Sequence, residues 1–205
     1  MPSTPLGILA RVQALILYCI IRAFDGDIQA RASAERHFDQ LEAYAMALVP
    51  HIVFLPDPSN PDSTNESSCV TTPDELPLYP LATTEVFWKD WIFQESARRT
   101  LLFAFTLMVI YDLMTSQKCC SRKNLIFKTW TMSAHLWKAP TAVEFAEAWR
   151  TKRHFIMSST KLDLFSEVVR EGDPDDLDSL GKMFMTTHMG VTAARRWFLS
   201  KGSIL

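Results

Sequence analysis

The reading of the fold turns on Leu9 to Leu48, LARVQALILYCIIRAFDGDIQARASAERHFDQLEAYAMAL. Leu9, Val12, Ile16, Cys19, Ile20 and Ala23 recur at helical spacing. Leu15, Leu17 and Ile21 make the far side apolar too, and a helix that is apolar all round is expected to be buried. Asp25-Gly26-Asp27 then breaks the pattern. Glycine suits a helix stop, and Asp27 suits the cap of a second helix. That helix, about Asp27 to Leu48, is amphipathic. Ile28, Ala32, Phe38, Leu41, Ala45 and Leu48 form its apolar stripe, and Arg31, Glu35, Arg36, Asp39 and Glu42 face outward.

Outward from this hairpin, helical patterns continue. Thr84 or Glu85 opens a long third helix through Trp88, Trp91, Glu95, Arg98, Leu102, Phe105, Val109 and Asp112, with an almost unbroken apolar run from Leu101 to Tyr111. The run is too short to cross a bilayer. Ser116–Lys123 reads as a polar turn. Further helices are expected over about Thr141–Phe155, after Pro140, and over Lys161–Arg170. Another opens at Asp173-Pro174-Asp175-Asp176, with Leu177, Leu180, Phe184 and His188 as its stripe. Gly190 ends it, and Thr192–Leu199 is the last. Between the second and third helices, Pro50 to Leu81 holds seven prolines among Ser, Asn, Thr and Asp and reads as a long loop, mobile around Asp57–Ser68. No strand alternation or hairpin turn stands out. The expected fold is all-α: a single-domain multi-helix bundle spanning residues 1–205, with one long Pro-rich loop.

Composition narrows the function. A 205-residue chain with 48% hydrophobic residues can build a sizeable core. Its formal net charge of -2 argues against binding nucleic acid by neutralising phosphates. Cys19, Cys69, Cys119 and Cys120 contain no C-x-x-C pair, so no metal site is expected and the thiols read as free, in an intracellular setting (cytoplasm or nucleus). Ala14–Ile21 faintly resembles a signal-peptide core, but no small-x-small cleavage site follows, and no membrane association is expected. Nucleotide-cradling loops and nucleophile motifs are not found, and no cofactor is expected.

The same stretch resembles the C-terminal regulatory, middle-homology-like region of fungal binuclear-zinc-cluster transcription factors, which often carry a LARxQALxLYxIIRxFDGDIxxRAxAE run. Three further segments match in order. Trp91 to Thr100 resembles the family's W-x-x-x-E-S-x-R-R-T helix. Leu136-Trp137-Lys138-Ala139-Pro140 with Trp149 resembles LW-x-A-x-S…W. Leu177 to Met183, with Gly190 and Trp197, resembles VDEFG-x-x…G-x-x-x-x-W. Six closely spaced cysteines would hold the family's zinc cluster, and these 205 residues do not contain them. The resemblance implies a stand-alone regulatory or ligand-binding domain of fungal secondary metabolism without direct DNA binding. Its expected partners are a hydrophobic small molecule and either a protein partner or a second copy. The alternative is a cofactor-free enzyme, a cyclase or pericyclase, using an apolar pocket in the bundle.

Candidate site residues follow from chemistry. Glu95 with Arg98 and Arg99 sits at (i, i+3) and (i, i+4) spacing. An ion pair clamping the third helix to the first, with Asp25 or Asp27, competes with a ligand-binding arginine, and the structural role is favoured. Asp25 and Asp27 are either caps or an acid–base pair, with capping favoured. His135 and His188 lie on apolar faces and read as core or edge histidines rather than bases or ligands. His37, His51 and His154 read as surface residues. The aromatic set could fill the core or line an apolar pocket. Glu95, Arg98, Tyr111, His135 and Trp137 are the ligand-binding candidates, with Arg98, Tyr111, His135 and Trp137 as hydrogen-bond donors.

Overall fold

A computed structural model describes residues 4–25, 27–55, 73, 75–115, 129–158 and 165–205. Gly26, the centre of the Pro-rich loop with Asp57–Ser68, Cys69, Cys119, Cys120, the expected turn at Ser116–Lys123 and the expected helix start at Lys161 lie outside the described residues. Among the described residues the protein is mostly α-helical, as expected. The chain divides into two compact units, Met1–Phe54 with Phe93–Phe127, and Leu55–Ile92 with Lys128–Leu205.

The first unit contains α1 (Pro5–Phe24), α2 (Ile28–Leu48), a 3-10 turn (Val49–His51) and residues 93–114 of α3 (Leu81–Met114). Thr4 caps α1 by accepting from the Gly7 amide, and Pro5 sits where a missing N–H costs nothing. Asp27 caps α2 by accepting from the Gln29 amide at 2.8 Å, which is the capping role expected of it. Leu9, Val12, Ile16, Cys19 and Ala23 form the buried seam of α1, and Ala34, Phe38, Leu41, Ala45 and Leu48 that of α2. Both step by three and four residues, so each seam stays on one side of its helix. These seams join Ala97, Leu101, Ala104, Phe105, Leu107, Met108 and Tyr111 of α3 in one core.

Two expectations about this hairpin are corrected. The first helix is not buried all round: Leu17 and Ile21 remain 63% and 65% exposed. The neighbouring helices α2 and α3 share the core with only one stripe of α1, so hydrophobicity on the far side does not bury it. The stripe of α2 begins at Ala34, since Ile28 and Ala32 lie outside the arc defined by Phe38 and Leu41 and are exposed.

Among its described residues the second unit contains residues 81–92 of α3, a two-stranded sheet and five further helices: α4 (Ala134–Trp137), α5 (Ala142–Thr151), α6 (Ser166–Glu171), α7 (Ser179–Met189) and α8 (Val191–Ser200). Strands β1 (Thr129–Thr131) and β2 (Ile156–Ser158) pair antiparallel, with Trp130 opposite Met157. Sequence reading missed them because each has three residues and both are buried, so no polar alternation marks them. The helix expected to reach Phe155 stops at Thr151, where Lys152 turns extended and feeds β2. Asp178, not the acidic run at 173–176, caps α7. It accepts from the Gly181 amide at 2.8 Å, while Pro174–Asp176 forms a separate 3-10 turn. The inner face of α7 accordingly carries Gly181 and Met185, and His188 is exposed. Gly190 ends α7 at φ 84°, a backbone that side chains with a Cβ resist.

Phe38 lies with its ring 4.1 Å from that of Tyr111, stacked, and is almost fully buried. Replacing it empties the centre of the first unit. Phe38→Ala is expected to lower unfolding free energy by about 3–5 kcal/mol in urea titration. A loss under about 1 kcal/mol would show that this contact is not part of the core.

Candidate functional site

In the first unit the chemistry concentrates on one turn of α3. Glu95 is fully buried. Its Oε2 accepts from Arg98 Nε at 3.0 Å and Nη2 at 2.9 Å, and its Oε1 accepts from Arg99 Nε at 2.8 Å. Arg98 Nη1 donates onward to the Val53 carbonyl at 2.6 Å, and the Val53 amide donates to Gln94 Oε1 at 2.8 Å. Gln94 and Arg98 thus grip both backbone groups of the residue that leaves the 3-10 turn. Gln13 of α1 donates to Thr100 Oγ1 at 3.2 Å. The segment Gln94–Thr100 therefore ties α3 to α1 and to the end of the α2 segment. Charges this deep are stable only when paired and hydrogen-bonded. The intrahelical ion pair is present as the spacing predicts, and its onward partner is Val53. Asp27 is engaged in capping.

Tyr111 belongs to the same unit, 16 residues further along α3. Burial raises its pKa, and Glu35 and Asp112 add to the rise. It is a neutral packed phenol, stacked on Phe38. Burial likewise pushes the Cys19 thiol up to about 11, which keeps it an unreactive core thiol.

His135 and Trp137 lie in the second unit, on α4. Trp137 is partly exposed, its ring 6.4 Å from Trp91. Trp91 and Phe145 are buried against Phe87, Trp88, Leu136 and Trp149, so the aromatics here form a packed layer. Trp149 donates from Nε1 to the Pro73 carbonyl at 3.0 Å. Trp88 Nε1 is buried with no hydrogen-bond partner.

His135 is part of a chain of imidazoles. His154 Nε2 lies 2.9 Å from the Trp149 carbonyl, which can only accept, so the proton sits on Nε2 and Nδ1 of neutral His154 is an acceptor. That Nδ1 lies 3.4 Å from His135 Nε2, which must then donate. The remaining nitrogen, His135 Nδ1, carries a lone pair, is buried and has no hydrogen-bond partner; Asp176 Oδ1 stands 3.9 Å away. Burial and the neighbouring His154 lower the His135 pKa to about 4, against a smaller opposing pull from Asp176. Burial also lowers that of His154. His154 was read as a surface residue. The β1–β2 pairing brings it beside α4, which no local pattern could signal. Gln94, Val53 and Trp88 also escaped the sequence reading, because each acts through the main chain or through burial.

The five candidate residues thus divide, with Glu95, Arg98 and Tyr111 in one unit and His135 and Trp137 in the other. Among the described residues no group of three or more His, Cys, Asp or Glu side chains is arranged to hold a metal ion.

Compared with curated proteins, the chain is 28% identical over 199 residues to Transcription factor gsfR2 of Penicillium aethiopicum. That relative is a fungal transcription factor. The alignment covers 95% of this chain and 43% of the relative, so the chain spans less than half of that relative's length. No family model matches the chain. No solved structure matches it.

A histidine with a depressed native pKa takes up its proton only on unfolding. Its contribution to stability is complete above the ordinary pKa of 6.5 and is lost as the pH falls toward about 4. His135→Gln is expected to flatten the decline in thermal midpoint across that window relative to wild type. Parallel curves for the two proteins would contradict the buried, neutral imidazole.

Proposed function

We propose that this chain is a regulatory helical region of a fungal transcription-factor-type protein, in the secondary-metabolism setting the family resemblance implies. In this reading it binds a hydrophobic small molecule and acts on transcription through a protein partner rather than by contacting DNA itself. The observation that carries the proposal is the similarity to a transcription factor along nearly the whole chain. Such a role belongs in the nucleus or cytoplasm.

Two features support the finer points. The net charge of -2 is a poor match to a phosphate backbone. The aromatic layer of the second unit contains an indole N–H, and α4 contributes an imidazole nitrogen, each buried and lacking a partner; a ligand carbonyl or hydroxyl oxygen could accept from the indole, and a ligand hydroxyl could donate to the imidazole nitrogen. The enzymatic alternative draws less support. A nitrogen with a pKa of about 4 is a weak general base at neutral pH, and buried Arg98 is already committed to Glu95 and Val53.

The test is a tethering assay. Fused to a heterologous DNA-binding domain in a fungal host, the chain is expected to change expression of a reporter carrying that domain's operator, while the purified chain alone leaves duplex DNA unshifted. A reporter that ignores the fusion, or tight DNA binding by the chain itself, would refute the proposal.

A further inference from the structure

His135 and His154, both in the second unit, face each other across a gap that is wide for a hydrogen bond. His135 comes from α4 and His154 from the segment between α5 and β2, and the strand pairing puts them together. His135 Nε2 and His154 Nδ1 stand 3.4 Å apart. Ordinary N–H donor contacts span roughly 2.7–3.2 Å. The other nitrogen of each ring is placed as in a metal-binding histidine. His154 Nε2 donates to the Trp149 carbonyl at 2.9 Å, and its ring packs against Trp149. His135 Nδ1 is buried without a hydrogen-bond partner, and Asp176 Oδ1 lies 3.9 Å from it. A histidine that gives one nitrogen to a metal almost always donates its other N–H to a carbonyl or a carboxylate. Here one ring has the carbonyl and the other has the carboxylate.

We infer that His135 Nε2 and His154 Nδ1 are two ligands of a zinc ion. Their separation favours zinc over a square-planar metal. Two nitrogens on one tetrahedral zinc, each bonded at about 2.0–2.1 Å, stand about 3.3–3.4 Å apart. Adjacent corners of a square-planar copper site with similar bonds stand about 2.9 Å apart. Burial lowers both imidazole pKa values, so both rings are neutral at pH 7 and the ion displaces no proton into solvent. The His135 proton moves instead from Nε2 to Nδ1, where it points toward Asp176. Zinc thereby turns an unpartnered acceptor into a donor that faces a carboxylate, directly or through one water.

The nearby charge is mixed. Asp176 attracts a cation, while Lys152, on an exposed side chain, opposes it. Among the described residues no third His, Cys, Asp or Glu completes a set. Water then fills the remaining corners, which makes the site an open one of micromolar rather than structural affinity. The inference is independent of the regulatory proposal, which survives a chain that holds no metal.

Calorimetric titration of the full chain with zinc sulfate tests it. Wild type is expected to take up one equivalent with micromolar affinity, and His135→Gln and His154→Gln are each expected to remove that equivalent. Asp176→Asn, which leaves both imidazoles in place, is expected to weaken it about tenfold. Nitrogen-15 NMR of His135 gives a readout that a purely structural role would not move: Nδ1 is expected to pass from unprotonated to protonated as zinc is added. Zinc uptake unchanged in both glutamine variants would put the ion on the thiols or the exposed histidines and overturn the inference. So would a wild type that binds no zinc at submillimolar concentration, or a His135 Nδ1 that stays unprotonated with zinc bound.

Discussion

A carboxylate with no access to water must be surrounded by donors, and Glu95 is such a carboxylate. It holds Arg98 and Arg99 on its own helix, and Arg98 in turn holds the carbonyl of Val53. Leaving either arginine unpaired at this depth is costly. The main chain beyond α2 therefore reaches α3 at one place, set by hydrogen-bond geometry. Apolar packing of α1, α2 and α3 supplies the bulk of the cohesion. The buried ion cluster adds register, because apolar surfaces can slide and a forked guanidinium cannot.

Much of the helical fold was legible because helix punctuation is local. Asp27 as a cap and Gly190 as a stop could be read from residue type. So could the (i, i+3) and (i, i+4) pairing of Glu95 with its arginines. The errors have a common origin, which is that hydropathy reports whether a side chain avoids water and not whether the fold covers it. Leu17 and Ile21 were expected to be buried for that reason and are exposed. The short strands were invisible because pairing across 25 residues joins two segments that carry no alternation of their own. The candidate site was legible only in part. His135 was found as an isolated histidine, while its partner His154 depends on the sheet, and the partner of Arg98 is a backbone carbonyl.

The two units show two ways of accommodating buried polarity. In the first, Glu95 and its arginines neutralise one another by pairing. In the second, the imidazoles shed their protons and pass a single hydrogen-bond direction from His135 to His154 to the Trp149 carbonyl. The first arrangement is rigid and closed. The second ends in a buried nitrogen with no hydrogen-bond partner.

The claim most exposed to test is that Glu95 fixes the first unit by pairing with Arg98. A double-mutant cycle in urea measures it directly. Glu95→Gln alone is expected to cost about 3 kcal/mol, and adding Arg98→Met is expected to recover part of that loss, because an uncompensated buried charge is removed with its side chain. A loss below about 0.5 kcal/mol for Glu95→Gln, or strictly additive losses in the double variant, would contradict the account.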